Sequence, residues 1–492
     1  MTAVIQKTDH GWVLGSSVGG VAIDSRRVGP GYIFVAIPGF TSDGHDFIAD
    51  AVARGAVAVV GERRQVTLPV PYLLVPSSRV AAAELSAAFY RSPSRELTSI
   101  GVTGTNGKTS VVYWLTALIR AGKTRCGMVS SVVNDNGQDI HESVLTTPES
   151  PDLQRQLREM ADAGLTHAVI EISSHGIAQH RVDQVELDLA VLTNITREHL
   201  DFHGTMENYI ATKARLFERL PPNSLGGVVN ADDPFSQKIL QGAAAPVITY
   251  GIQGGEVRAE ILNQNAWSSR VRIHHDAFDF TAQLNHPGVY NVYNLAAAVA
   301  AGYRLGVPVE DMQKAIPLLP EVPGRMQVLK APGRPMVIID YAHTPDGLRQ
   351  SLKTVHHMIS GKIWLVFGAR GGRDRGKRPE MGKIAAQLAD YVVLTTDSPN
   401  NEDPRGIADA IAAGVRAVDP GKVATIELDR RDAMNWAISQ AGAEDCVLVT
   451  GRGPELFQYF CGERVRFKDA EVAGEVLGWR DRPTGAENIG IH

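Results

Sequence analysis

Residues 98–113, TSIGVTGTNGKTSVVY, constrain this chain more than any other stretch. An apolar, β-branched run enters a glycine-rich turn and leaves into apolar residues at helical spacing, the pattern of strand, tight loop and helix. Gly104 and Gly107 let backbone N–H groups close on an anion, and the following helix aims its positive end at it. Thr105, Asn106 and Ser110 complete the cradle. Lys108 reaches the outer phosphates, and the Thr109 hydroxyl suits a magnesium ion. The stretch predicts a parallel α/β sheet with a nucleoside triphosphate at its edge. The strict phosphate-loop template has glycine where Val102 stands, so this loop is a variant.

A chain of 492 residues has room for about two to four domains with cores of their own. Its net charge of −5 gives no global basic field for nucleic acid or an anionic membrane. Cys126, Cys446 and Cys461 are few, odd in number and without metal-like spacing, which fits reduced thiols in the cytoplasm. The N-terminus, MTAVIQKTDHGWVLG, lacks a continuous apolar core, so no signal peptide is read. The apolar run 289–301 is too short to span a bilayer.

Three blocks separate along the chain. Residues 1–96 hold short strands (YIFVAIPG, AVAVVGE, PYLLVPS) and one Ala-rich helical run at 79–90, closed by the polar RSPSREL. Residues 97–327 begin with the phosphate loop and continue with THAVIEIS and DLAVLTN, each followed by helical pattern, the alternation of a parallel sheet. A polar, alternating stretch at 256–284 reads as a β-rich insert before the helix NLAAAVAAGYRL. In residues 328–492, PMVIID, KIWLVFG, YVVLTT and CVLVTG are buried-strand runs between Ala-rich helices. Each ends in polar or glycine residues (DYAH, GARGGRD, DSPN, GRGPE), and open parallel sheets bind ligands beyond those carboxyl ends. The tail DRPTGAENIGIH reads as disordered.

A triphosphate needs a metal with oxygen or imidazole ligands. Glu171 interrupts an apolar strand near its end, where a carboxylate is costly unless paired or on a metal. A strand-end glutamate with a lysine partner is the plainer alternative. Residues 193–217, TNITREHLDFHGTMENYIATKARLF, crowd His199, Asp201 and His203 after a strand; each alone is more often a cap or a satisfied core residue, and their crowding raises the functional reading. TTPES at 146–150 and NVYN at 291–294 both also read as helix caps. GARGGRDRGKRP, basic and glycine-rich without aromatic partners, suits a carboxylate or phosphate better than nucleic acid. GRGPE lacks the third glycine of a dinucleotide loop.

In order along nearly the whole chain, DSRRVGPGYIFVAIPGFTSDGHDFI, GVTGTNGKTS, EISSHGIAQHRV, TNITREHLDFHGTMENYIATKARLF, GVYNVYN, VPGRM and DYAHTPD resemble the Mur ligase family. The match is closest to the branch that adds the third peptide residue to the peptidoglycan precursor. The resemblance implies three α/β domains: an N-terminal uridine-nucleotide domain, a central P-loop-like parallel-sheet ATPase domain and a C-terminal Rossmann-like domain. It implies that Lys108 contacts the outer phosphates, with Thr109 and Glu171 around Mg2+. His199 matches a metal histidine, and Lys213 a lysine that becomes a carbamate and so a metal ligand. Asn291 would meet the adenine, and Arg325 and Asp340 the phosphate and ribose. Thr146, Thr147, Ser173, Gln179 and Arg181 would hold the UDP-sugar dipeptide, with Ser25 at its uridine end. The implied substrates are ATP, UDP-N-acetylmuramoyl-L-alanyl-D-glutamate and a diamino acid, joined through an acyl phosphate by a cytoplasmic monomer without nucleic-acid or membrane partners.

For the amino acid, the resemblance assigns Arg373 to its carboxylate, Gly451 and Glu455 to its distal amine, and Asp397, Ser398, Pro399 and Asn400 to selectivity. Diaminopimelate enzymes of the family carry arginine at the last of these positions. Asn400 has no charge to offer, which favours L-lysine or L-ornithine over meso-diaminopimelate. The glycine-rich loop also departs from the family's GCGGDRD at Ala369, Arg370 and Gly372. A folylpolyglutamate synthase-like ligase is the enzymatic rival, but residues 1–96 resemble the domain it lacks. A nucleotide-binding scaffold would not need Glu171, His199 and Lys213. A P-loop motor or switch would want the strict first glycine and a basic nucleic-acid surface.

Overall fold

The computed structural model describes residues 5–9, 11–39, 42–64 and 67–478; the tail read as disordered lies outside them. Three α/β sheets follow one another along the chain. In the first, Gly20–Ala22, Tyr32–Val35, Ala58–Gly61 and Tyr72–Leu74 run parallel in sequence order. The helix Ser78–Phe89 closes it, capped by Ser77, whose hydroxyl accepts from Val80 N. A hairpin, Ile5–Thr8 with Gly11–Leu14, precedes this sheet and buries Ile5 and Trp12 against the helix residue Leu85. The sequence gives little warning of it, because each strand is only four residues long.

The central sheet has eleven strands. Thr98–Thr103, which feeds the phosphate loop, lies between His167–Glu171 and Leu189–Leu192, parallel to both. Val102 is fully buried in this strand and pairs with Glu171 and Val191. The missing template glycine is thus a strand residue, and the turn opens only at Gly104. The expected β-rich insert is instead the edge of the same sheet: Val257–Gln264 adds parallel to Val247–Gly251, and Ser269–His275 and Phe278–Leu284 follow antiparallel. Their alternating polarity reflects one face packed on the helix Val289–Arg304 and one face in water. That helix begins five residues before NLAAAVAAGYRL, so NVYN is its first turns rather than its cap. It packs on Lys108–Ala121, whose Val111, Val112, Leu115 and Leu118 are fully buried. Burying each such side chain contributes roughly 1.5–3 kcal/mol, so the helix that carries the phosphate lysine is held firmly at its start.

The third sheet orders Gln327–Leu329, Met336–Asp340, Cys446–Thr450, Ile363–Phe367, Tyr391–Leu394 and Val423–Ile426. All but the first strand are parallel. Their carboxyl ends place Asp340, Gly368, Asp397 and Gly451 on one edge, as expected from the polar endings of the four apolar runs. A last hairpin, Phe457–Phe460 with Glu463–Arg466, lies beside it and bridges back to Asn400. Among the described residues no helix is long and apolar enough to cross a membrane, and Cys126, Cys446 and Cys461 are unpaired.

Candidate active site

The phosphate loop needs its glycines for space as well as conformation. Gly104 (φ 145°) and Gly107 (φ 84°) are left-handed, and added Cβ atoms would come within 1.9 Å of Thr193 Oγ1 and 2.2 Å of Asn294 Oδ1. Asn194 holds the loop from the next strand, its Oδ1 accepting from Asn106 N at 3.0 Å. Lys108 Nζ donates to Gly104 O (3.1 Å) and Thr105 O (2.8 Å). Burial pulls the pKa of this ammonium below the ordinary lysine range, against the attraction of Glu171 and Glu198.

Thr109 and Glu171 do meet: Thr109 Oγ1 donates to Glu171 Oε1 at 3.1 Å, and Ser131 N donates to Glu171 Oε2 at 2.8 Å. Arg325 Nη2 donates to Thr109 Oγ1 at 2.9 Å, and its guanidinium lies 4.2 Å from the Tyr341 ring centroid. Glu171 makes no direct ion pair with a lysine among the described residues, although Lys108 lies close enough to feel its charge; its hydrogen-bond neighbours are a hydroxyl and an amide. This pair offers hard oxygen donors at a helix start facing a phosphate cradle, which fits magnesium.

His199 and Lys213 form a second group. Lys213 is buried in Met206–Glu218 and donates to Gly104 O at 2.7 Å, so it reaches the loop from below. Burial, reinforced by the Lys108 cation, holds its pKa well below the lysine range. His199 caps the short helix Leu200–His203 with a left-handed backbone (φ 55°) and lies 4.5 Å from the His175 ring. Burial pushes its pKa down to about 3, so it is a neutral imidazole able to ligate. Of the four expected metal residues, Thr109 and Glu171 are in direct contact, while His199 and Lys213 make no direct contact with each other and are linked only by the weak electrostatic influence of Lys213 on the imidazole. No group of three or more His, Cys, Asp or Glu side chains able to hold a metal is found among the described residues. One of the four is a lysine, whose ammonium cannot ligate.

The sequence reading missed Glu198. It is buried beside His199 (3.5 Å) and accepts from or shares a proton with His343 Nε2 at 2.7 Å, across the gap between the second and third sheets. Burial pushes its pKa up, but the hydrogen bond to His343 and the Lys108 cation work against that and hold it below the usual range. Lys377 Nζ donates to His343 O at 2.8 Å, and Arg373 Nη1 lies 3.5 Å from Asp201 Oδ2. These contacts lay the edge of the third sheet over the phosphate loop.

Two cavities flank this seam. One of about 630 Å³ is lined by Gly107, Trp114, Asn291, Arg325, Asp340 and Asp232. Asn291 Nδ2 donates to Pro287 O, and its Oδ1 accepts from Asn294. Asp340 accepts from Met326 N, Ala342 N and Ser351 Oγ, which leaves little of its carboxylate free. The other cavity, about 1340 Å³, lies between the first and second sheets and includes Ser25. Arg27 and Asp152 span that pair of sheets with bonds of 2.7 and 2.6 Å. Nearby, Thr147 Oγ1 donates to Glu171 O and accepts from Ser173 N, so the threonine end of TTPES is tied to the sheet, while its Glu149 and Ser150 start the helix Ser150–Asp162 as the sequence suggests, without a side-chain cap bond. Arg181 donates to Thr147 O and to Gln179 Oε1, and Thr146 beside them is half-buried.

At the third sheet, Asp397, Ser398 and Pro399 are buried, and Ser398 is closed off entirely. Ser398 Oγ accepts from Arg452 Nη1 at 3.1 Å, so it shapes the corner instead of facing a ligand. Asn400 Nδ2 donates to Gly371 O at 2.6 Å. Gly451 (φ 107°) packs on Asp397, whose Oδ2 would lie 2.9 Å from an added Cβ. Glu455 pairs with Arg370 at 2.9 Å.

Family models match in the same order as the sheets. Residues 17–90 match the Mur ligase family catalytic domain, 102–302 the Mur ligase middle domain, and 324–453 the Mur ligase glutamate ligase domain. A UDP-N-acetylmuramoyl-L-alanyl-D-glutamate–2,6-diaminopimelate ligase of Geobacillus thermodenitrificans is 41% identical over 460 residues, 92% of this chain and 93% of the relative. One of Synechococcus elongatus is 39% identical over 480 residues, 94% and 95% of the two chains. A solved structure of a ligase of the same description aligns with a TM-score of 0.63 at 32% identity, covering 93% of this chain and 94% of that one. The ADP complex of the Thermotoga maritima MurF ligase shares the fold at TM-score 0.66 and 22% identity, covering 94% and 97%. Domain order, sheet architecture and relatives along more than nine-tenths of the sequence agree: the chain belongs to the Mur ligase family and is an ATP-dependent ligase.

Proposed function

We propose that this protein is a UDP-N-acetylmuramoyl-tripeptide synthetase, which joins a diamino acid to UDP-N-acetylmuramoyl-L-alanyl-D-glutamate at the expense of ATP. The observation that carries the reading is the convergence of Lys108 and Lys213 on one carbonyl, Gly104 O, beneath an edge held down by Glu198 and His343. A phosphate cradle, a second buried lysine and a basic amino-acid edge share one seam. A scaffold that only bound nucleotide would have no use for that arrangement.

ATP would lie in the smaller cavity against Asn291, with its phosphates on residues 104–110. The UDP-sugar dipeptide would lie with its uridine end at Ser25 in the larger cavity and run past that cavity's rim at Leu145, Pro148 and Glu149 toward Thr146, Thr147, Ser173, Gln179 and Arg181. The D-glutamyl carboxylate attacks the γ-phosphorus, forming an O–P bond and releasing ADP. The amino acid's amine then attacks the acyl carbon, forming the amide and breaking the C–O bond to phosphate. Lys108 and Arg325 offset negative charge on the transferring group, and the seam keeps water from the acyl phosphate. Thr109 and Glu171 would hold one magnesium ion, and His199 with carbamylated Lys213 a second, which would neutralise phosphate charge further. Lys213 suits that modification: burial and the Lys108 cation disfavour its ammonium, and the neutral amine would attack carbon dioxide through its lone pair, with loss of a proton, to give a carbamate.

The identity of the amino acid turns on its second carboxylate. Asn400, uncharged, favours L-lysine or L-ornithine; the names of the relatives favour diaminopimelate. Phosphate release is measured with UDP-N-acetylmuramoyl-L-alanyl-D-glutamate, ATP and magnesium, with lysine, ornithine or meso-diaminopimelate added in turn. Turnover with one of them is expected; no turnover with any sinks the ligase reading.

A further inference from the structure

Arg370 is a charge that the phosphate chemistry does not use. It follows the strand Ile363–Phe367, and its Nη1 donates to Glu455 Oε1 at 2.9 Å. That oxygen also accepts from Tyr341 Oη at 3.2 Å. Glu455 Oε2, by contrast, is buried and accepts no hydrogen bond, with Arg452 Nη1 3.7 Å away. The Arg370 and Glu455 side chains are 31% and 21% exposed, so the pair is sheltered yet reachable. Glu455 is the only hydrogen-bond acceptor Arg370 engages among the described residues, which leaves most of its five N–H donors for a ligand.

The backbone that carries Arg370 is pinned. Gly371 N donates to Ser398 O at 2.9 Å, Asn400 Nδ2 donates to Gly371 O at 2.6 Å, and Gly372 N donates to Glu402 Oε1 at 2.6 Å. Gly371 has no room for a side chain: a Cβ would come within 1.9 Å of Pro399 O. Asn400 is therefore the fastener of this loop, and the cation absent at position 400 stands at position 370.

We propose that Arg370 and Glu455 together form a receptor for a zwitterionic chain end, Glu455 taking an ammonium and Arg370 a carboxylate on the same carbon. The acceptor is then a diamino dicarboxylate such as meso-diaminopimelate. A terminus bearing ammonium alone would have to compete with Arg370 for Glu455 or leave a half-buried guanidinium beside a second cation. A terminus bearing both charges alternates with the pair and can bind the guanidinium in bidentate fashion. The inference rests on the ligase reading and adds to it a selectivity residue.

The test is steady-state phosphate release with each amino acid. For the wild type, kcat/KM for meso-diaminopimelate should exceed that for lysine by about tenfold to a hundredfold, the effect of a charged hydrogen-bonded contact. Arg370→Gln should raise KM for diaminopimelate by a similar factor without raising KM for lysine, and Arg370→Lys should restore part of the preference. Melting temperature and KM for ATP separate lost selectivity from lost folding. If Arg370→Gln melts early, the kcat/KM ratio of Arg370→Lys and the wild type decides. A wild type that prefers lysine or ornithine, or an Arg370→Gln that changes both amino acids equally, overturns the proposal while leaving the ligase reading intact. No turnover with any amino acid overturns both.

Discussion

Replacing Asp469 by asparagine tests how the amino-acid corner is supported. Asp469 opens the helix Asp469–Val476 and is fully buried, as are Arg430 and Arg452. Its carboxylate accepts from Arg430 Nε at 2.8 Å and Nη2 at 2.7 Å, and Arg452 Nε lies 3.9 Å away. Other donors of the two guanidiniums hold the surrounding chain: Arg430 donates to Thr450 O, and Arg452 donates to the Ser398 hydroxyl and to Phe467 O. Asparagine keeps the shape but removes the charge and turns one acceptor into a donor that faces a donor. Breaking one partner of a buried pair costs about 3–5 kcal/mol. For a domain of this size, about 2–4 °C per kcal/mol gives a fall of roughly 6–20 °C in the C-terminal unfolding transition. Calorimetry and urea denaturation read the stability. KM for the amino acid should rise well above that for ATP, since Arg452 orders Ser398 and faces Glu455. Asp469→Leu with Arg430→Met, which removes charge and partner together, should cost less than Asp469→Asn alone. A loss under about 1 kcal/mol for Asp469→Asn would refute the reasoning, since it would mean that the buried charges are compensated from elsewhere.

Lys213→Ala should lower turnover by at least about a hundredfold, with partial recovery on adding short carboxylic acids that can stand in for a carbamate; unchanged turnover removes Lys213 from the site. Gly104→Ala should raise KM for ATP at least about tenfold, because the new Cβ meets Thr193 Oγ1 and the left-handed backbone strains any side chain; normal ATP affinity would refute the steric account. Glu402 accepts from Arg378, whose hydrogen bond chiefly lowers its pKa to about 2 against the ordinary 4.5. A carboxylate depressed in this way contributes stability above the unfolded pKa and loses it as pH falls through the folded one. The melting temperature of Glu402→Gln should therefore depend less on pH between about 4.5 and 2 than that of the wild type, and identical profiles would contradict this.

What was legible in the sequence was legible because it is local. The phosphate loop declares itself in a dozen residues, and Glu171 stands out because a carboxylate in an apolar strand demands an explanation. The Val102 departure needed the sheet: a strand that runs one residue further toward the loop wants a β-branched residue where the template has glycine. Glu198 was passed over because its neighbours His199, Asp201 and His203 carry the conspicuous chemistry, while its own partner, His343, lies 145 residues away on another sheet. Arg452 and Asp469 were invisible for the same reason, since nothing in GRGPE or in a helix-opening aspartate announces a shared buried charge. The amino-acid corner shows the cost of reading positions one at a time. Asn400 alone looked like a missing cation, and Arg370 alone like an unexplained one. The hydrogen bond from Asn400 to the carbonyl next to Arg370 ties the two positions into one loop, so neither is read without the other. Selectivity at such a site is a property of the net charge and its anchoring around the ligand, and a substitution that empties one position is informative only once the neighbouring positions have been counted with it.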